Sequence, residues 1–187
     1  MKVSTGITLL ILITFSFILC KSKESPHVTT EEMSEKAITF YNSIHHDFNP
    51  NKHIQQNFID RFAELQIQLQ RNRNGNFDKI ILLSLMDSAW SKNINTLRNI
   101  EKIPEIDSVI NYKAKIIVYL NKLNHLYEKE FRGFIYILAN KQFNEIGSYN
   151  KHLMPELQKL KELGISLKNA QIEFKEKYNF TTLKNEE

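Results

Sequence analysis

The 187-residue chain is 42% apolar and carries 12 Phe and 7 Tyr, enough for one buried core, while 25 Lys and Arg against 21 Asp and Glu leave a net charge of only +4. The basic residues are scattered among acidic ones, and the densest spot, RNRNGN at 71–76, has two arginines and no aromatic, so nucleic acid is excluded as a partner class. A single cysteine rules out an intramolecular disulfide, and the fold has to be held by packing.

In chain order the first feature is MKVSTGITLLILITFSFILC. Lys2 leads into an apolar run, Ile7 to Leu19, that stops at the unique Cys20. The run has the length of a signal-peptide h-region and falls short of the roughly 17 to 25 residues that span a bilayer comfortably. The polar stretch KSKESPHVTTEE follows. Residues 1–25 resemble the export signals of bacterial lipoproteins, in which a cysteine after the h-region is acylated on sulfur and becomes the new N-terminus. That resemblance implies a lipid on Cys20. One position departs from the pattern: Leu19 stands where such signals normally carry a small residue. Ordinary cleavage with secretion, and an uncleaved anchor with Cys20 as a small apolar residue, are the alternatives.

Beyond the tether the periodicity is helical. Met33, Ala37, Tyr41, Ile44 and Phe48, then Ile54, Phe58, Phe62, Leu65 and Leu69, recur at steps of three and four. Between them Asn49-Pro50 predicts a helix cap followed by a first-turn proline, hence a first arm over about 29–71 that is broken or kinked at Pro50. NRNGN at 72–76 predicts a turn. The second arm, about 77–101, has Ile80, Leu83, Met86, Trp90, Ile94 and Leu97 as its expected inner stripe. Asp107 or Ser108 is expected to cap a third arm reaching about 140, with Val109, Tyr112, Ile116, Leu120, Leu123, Tyr127, Phe134 and Leu138 inward. Gly147 and Ser148 predict a break. A fourth arm over 150–178 carries Leu153, Leu157, Leu160, Leu167, Phe174 and Tyr178, with Pro155 in its first turn. No strand-like alternation competes and no repeat is visible.

The polar motifs read as structural. His45, His46 and His53 do not share a helix face with a carboxylate or cysteine, which predicts a solvated helix end rather than a metal site. Glu24 and His27 have di-iron spacing, yet lie in the tether and lack the repeat of the motif that such sites need. His152 and Glu156, and Glu128 and Arg132, are set to pair at i and i+4. Glu130, near the stripe between Tyr127 and Phe134, is expected to be partly buried and to need a partner. Serine nucleophile and phosphate-loop signatures are absent from the sequence, so the expectation is no enzyme, no cofactor and no metal.

The elements YNSI (41–44), IPEIDSVINYKAKIIVYLN (103–121) and LYEKEFRGFI (126–135) are similar to uncharacterised bacterial surface lipoproteins of spirochaetes and Bacteroidetes. The resemblance covers about residues 31–140 and implies a lipid-anchored, mostly helical envelope protein with no activity to transfer. The expected organisation is a signal peptide (1–19), lipidated Cys20 and tether (20–28), an all-α antiparallel bundle of four arms (29–180) and a frayed tail (181–187). The expected location is the outer membrane or cell surface, with the membrane and an envelope or host protein as partners and a binding or structural role. A secreted eukaryotic bundle glycosylated at Asn179-Phe180-Thr181, and a carrier or enzyme inside the bundle, are the other readings.

Overall fold

The computed structural model describes residues 30–71, 79–140, 142 and 144–180. The described residues from Met33 onward form one compact unit. The helices are α1 (Thr30–Arg71), α2 (Lys79–Lys102), α3 (Tyr112–His125), a π-helical segment (Leu126–Phe131), α4 (Arg132–Ala139) and α5 (Ile146–Lys177). Among the described residues no strand occurs. Because α3, the π segment and α4 follow one another without a gap, they form a single arm, and the expected all-α bundle of four arms is what the chain builds.

Side-chain contacts fix the direction of each arm. Ser34 of α1 donates to the Tyr178 carbonyl beyond the end of α5 (3.1 Å), whereas the Phe58 ring meets Tyr127 (5.5 Å) and Phe62 meets Phe134 (5.2 Å). The first and third arms therefore run the same way and the fourth runs against them. Asn51 of α1 bonds Asn93 of α2, and Asp87, earlier in α2, pairs with Arg132, later in the third arm, so α2 also runs against its neighbours.

Two apolar clusters fill the interior. One holds Phe58, Phe62, Leu82, Met86, Ala89, Leu123, Tyr127, Phe131, Phe134 and Leu153 among others. The other gathers Ala37, Phe40, Ile44, Phe48, Ile100, Tyr112, Ile116, Leu120, Leu167 and Phe174. Aromatic rings supply most of the bulk, with centroids commonly 5.0 to 6.0 Å apart in tilted or edge-on pairs, contacts each worth roughly 0.5–1.5 kcal/mol beyond the area they bury.

Several elements differ from expectation, each for a local reason. Of the break or kink expected at Pro50, the break does not occur: α1 is one helix through the proline. The proline removes one amide donor, but Phe48 and Asn51 on either side are buried, so packing holds the segment helical. The inner stripe of α2 is Leu82, Met86, Ala89, Asn93, Thr96 and Ile100, not the expected set of Ile80, Leu83, Met86, Trp90, Ile94 and Leu97. Only Met86 is shared; Ile80 is 79% exposed and Trp90 is half-buried. Small and polar residues occupy the centre of the contact because the partners there are large rings and amides. Val109 is exposed, since it lies in a turn that ends at Asn111, whose φ of 58° stops that turn and lets α3 begin at Tyr112. Gly147 and Ser148 are helical, so α5 starts at Ile146 and Pro155 sits inside it rather than in its first turn. The turn at 72–76, the tail at 181–187, and the signal and tether lie outside the described residues.

Candidate functional site

Polar groups buried between the arms are where chemistry could reside, and they form four groups along the bundle. In the Phe174 cluster, His45 is 8% exposed, not solvated as the sequence suggested. Its Nδ1 lies 3.0 Å from Asn49 Oδ1, its Nε2 2.6 Å from the Tyr112 hydroxyl, and Gln171 Nε2 approaches at 3.5 Å. Asn49 Oδ1 can only accept, so Nδ1 carries the proton and Nε2 accepts from Tyr112. The Tyr41 ring lies tilted against the His45 ring at 4.0 Å between centroids, and the Tyr41 hydroxyl accepts from Gln171 (2.5 Å). Burial holds the His45 pKa below its ordinary value despite the Asn49 hydrogen bond, and Lys52 and Lys175 push the same way. Burial likewise raises the Tyr112 hydroxyl.

Between the two apolar clusters lies a layer of amides. Asn93 Oδ1 accepts from Asn51 Nδ2 (3.0 Å) and Gln55 Nε2 (3.1 Å), and Asn93 Nδ2 donates to the Leu120 carbonyl (2.9 Å) and Asn124 Oδ1 (2.6 Å). One residue of α2 thus joins three arms. Asn51 Oδ1 is buried without a partner.

The π segment carries the third group. Leu126, Tyr127, Glu130 and Phe131 are all buried. A π turn leaves carbonyls out of the normal i to i−4 ladder, and π segments often mark functional positions. Here the Tyr149 hydroxyl donates to the Glu130 carbonyl (2.6 Å) and approaches that of Lys129 (3.2 Å). Gly133 makes that approach possible: a Cβ there would lie 2.3 Å from the Tyr149 hydroxyl. The Glu130 side chain is buried as expected and finds its partner in His152 Nε2 at 3.4 Å. Burial, followed by the Glu130 charge and hydrogen bond, pushes the Tyr149 pKa up to about 12. Trp90 Nε1 and the Tyr127 hydroxyl are buried without partners.

The fourth group ties chain segments together. Asp107, 4% exposed, accepts from the Val109 and Ile110 amides (3.0 and 3.1 Å), Lys177 Nζ (2.7 Å) and the Tyr178 hydroxyl (3.1 Å). Burial alone would raise its pKa; Lys177, the Ile110 amide, Tyr178 and the Val109 amide outweigh it and hold the carboxyl below the usual range. Asp107 thus caps the turn before α3 and fastens it to the end of α5.

The sequence-derived pairs resolve differently. Glu128 and Arg132 do not pair, because the wide π turn lies between them and Arg132 reaches Asp87 across the arms at 2.5 Å. Glu156 binds Lys122 and Lys159 rather than His152, and those two ammonium groups bring its pKa to about 2. His46 and His53 are exposed. Asn179 is exposed at φ 49° just past α5. Cys20, Glu24 and His27 lie outside the described residues. Among the described residues no group of three or more His, Cys, Asp and Glu could hold a metal ion, and no helix is long and apolar enough to cross a membrane. What sequence reading missed, the His45 centre and the amide layer, had one available signal: His45, Asn51 and Gln55 fall beside the apolar stripe of α1.

Comparison with protein-family models, curated proteins and solved structures finds no significant match for this chain.

Proposed function

We propose that the chain is a lipid-anchored protein of a bacterial envelope whose helical bundle acts by binding or scaffolding rather than by catalysis. The observation that carries this reading is the position of Cys20, unique in the chain, directly after the apolar run Ile7 to Leu19 and ahead of a bundle whose first helix begins at Thr30. The buried polar groups support a structural role, since each spans arms: His45 with Tyr112 and Gln171, Asn93 with Asn51 and Asn124, Asp107 with Lys177 and Tyr178. Such networks specify one packing arrangement when their members are satisfied.

Cys20→Ser tests the anchor. Thioether formation needs the thiol, so the variant should leave the membrane fraction or stay unprocessed, and the intact mass of the wild-type chain should show diacylglycerol on Cys20. Wild-type-like fractionation of the variant refutes the proposal, and a glycan on Asn179 in place of the lipid moves the chain to the secreted reading. Leu19→Ala should speed processing by a lipoprotein peptidase.

A further inference from the structure

We propose that His45 is an acid-operated joint: it holds α1 to α3 and α5 while its ring is neutral, and protonation of its Nε2 loosens that half of the bundle. The joint lies at the meeting of three helices. Its hydrogen bonds run from Asn49 on its own helix to Tyr112 at the first turn of α3 and Gln171 near the end of α5. The neutral ring uses both nitrogens, with Nδ1 donating to Asn49 and Nε2 accepting from Tyr112.

A proton on Nε2 reverses that arrangement. The Tyr112 hydroxyl would have to turn its own hydrogen away to accept, and the Gln171 amide, a donor to the Tyr41 hydroxyl, already points its nitrogen at the same atom. The surroundings offer the cation no compensation. From α1 the ring faces Tyr41 and Lys52, from α3 Tyr112, and from α5 Lys175. Both charged groups are themselves cations, and Asp47, the nearest acid in sequence, lies 3.8 Å from His46. Imidazolium at 8% exposure is therefore both poorly solvated and repelled.

The direction of the pH response follows. The folded pKa lies below the unfolded value of about 6.5, so the loosened chain binds more protons than the closed one in acid. The closed state keeps its full advantage above about pH 6.5 and loses up to roughly tenfold in closed-to-open ratio per pH unit below it, until the folded pKa is reached. The far end of the bundle should not respond. It is built on Phe58, Phe131 and Phe134, beyond the amide layer of Asn93.

The experiment is hydrogen exchange of the intact chain in detergent at pH 7.5 and pH 5.0, corrected for intrinsic rates, with thermal midpoints alongside. In acid, peptides covering residues 37–48 and 112–120 should gain exchange, up to a ceiling of roughly thirtyfold at pH 5.0, while 123–138 should not. His45→Gln should remove most of that pH dependence, whatever it does to stability at pH 7.5. Lys175→Glu, a change at a half-buried lysine, should blunt the acid response by favouring the imidazolium. His46→Gln should behave as wild type. The proposal is overturned if His45→Gln keeps the wild-type pH dependence, if Lys175→Glu leaves or steepens it, or if exchange rises equally in both halves of the bundle.

Discussion

A single amide decides how three of the four arms align. Asn93 accepts from Asn51 and Gln55 through one oxygen and donates to Leu120 and Asn124 through one nitrogen, at full burial. Removing it strands the amide hydrogens of Asn51 and Gln55 and the Asn124 oxygen in a dry layer, and each buried group left unpaired costs about 1–3 kcal/mol. Some of that is recovered as the neighbours re-pair. Asn93→Ala should therefore lose about 2–4 kcal/mol in urea unfolding, whereas Asn95→Ala, exposed on the same helix, should stay within about 0.5 kcal/mol of wild type. Equal small losses would mean that the layer is not where the arms are registered. Trp90 makes the opposite point about residue type. Its size suggested the core, yet it is half-buried against the Phe58 cluster with an unpaired indole nitrogen, while the fully buried neighbours are Ala89 and Asn93, the latter facing the amides of Asn51 and Gln55.

At the scale of the element, the π segment is explained by arithmetic that the third arm must satisfy. From Tyr112 to Leu138 there are 26 residue steps, and at about 100° each an uninterrupted α-helix would leave Leu138 rotated by roughly 80° from Tyr112. Both are buried. One wide turn absorbs the surplus residue and returns the stripe to the core, with Tyr149 satisfying a carbonyl that the turn frees. Lys129 is exposed inside that turn. Its deletion should convert the segment to α-helix with the stripe still aligned and a thermal midpoint near that of wild type. Insertion of one Ala after Lys129 adds a residue that no second wide turn is placed to absorb, and should lower the midpoint by many degrees. If the deletion harms the fold as much as the insertion, the turn is required for its own sake and not as a register correction. The period of apolar residues made the four arms legible in the sequence, since Tyr112, Ile116, Leu120, Leu123, Tyr127, Phe134 and Leu138 are all buried as read. It could not reveal the π turn, which leaves spacings of three and four intact, nor the stripe of α2, where the small or polar Ala89, Asn93 and Thr96 are buried among Leu82, Met86 and Ile100. The His45 centre was hidden for a related reason: beyond Asn49 on its own helix, its partners Tyr112 and Gln171 lie 67 and 126 residues away in sequence.

The described bundle holds two apolar clusters in series with a polar layer between them, and its cooperativity depends on what crosses that layer. Helix α1 and the third arm are continuous through it, Tyr119 packs against both clusters, and the Phe48 ring meets Tyr119 edge-on at 6.3 Å. Asp107 then closes one end by binding the α5 terminus to the turn before α3. Its depressed pKa means that this fastening is fully present above about pH 4 and is lost as acid protonates the carboxylate. At neutral pH the two clusters should accordingly unfold together. A chain beginning at Val28 retains all residues of both clusters and should be monomerically soluble and strongly helical without signal or lipid. Its urea transition should be the same whether followed by Trp90 fluorescence, which reports the Phe58 cluster, or by far-ultraviolet circular dichroism, which reports every arm. Coincident curves that give one midpoint and one slope support a single cooperative unit. A Trp90 transition displaced from the helical one would show that the amide layer separates two independently melting halves, and aggregation of the shortened chain would show that the first 27 residues are needed to complete the fold.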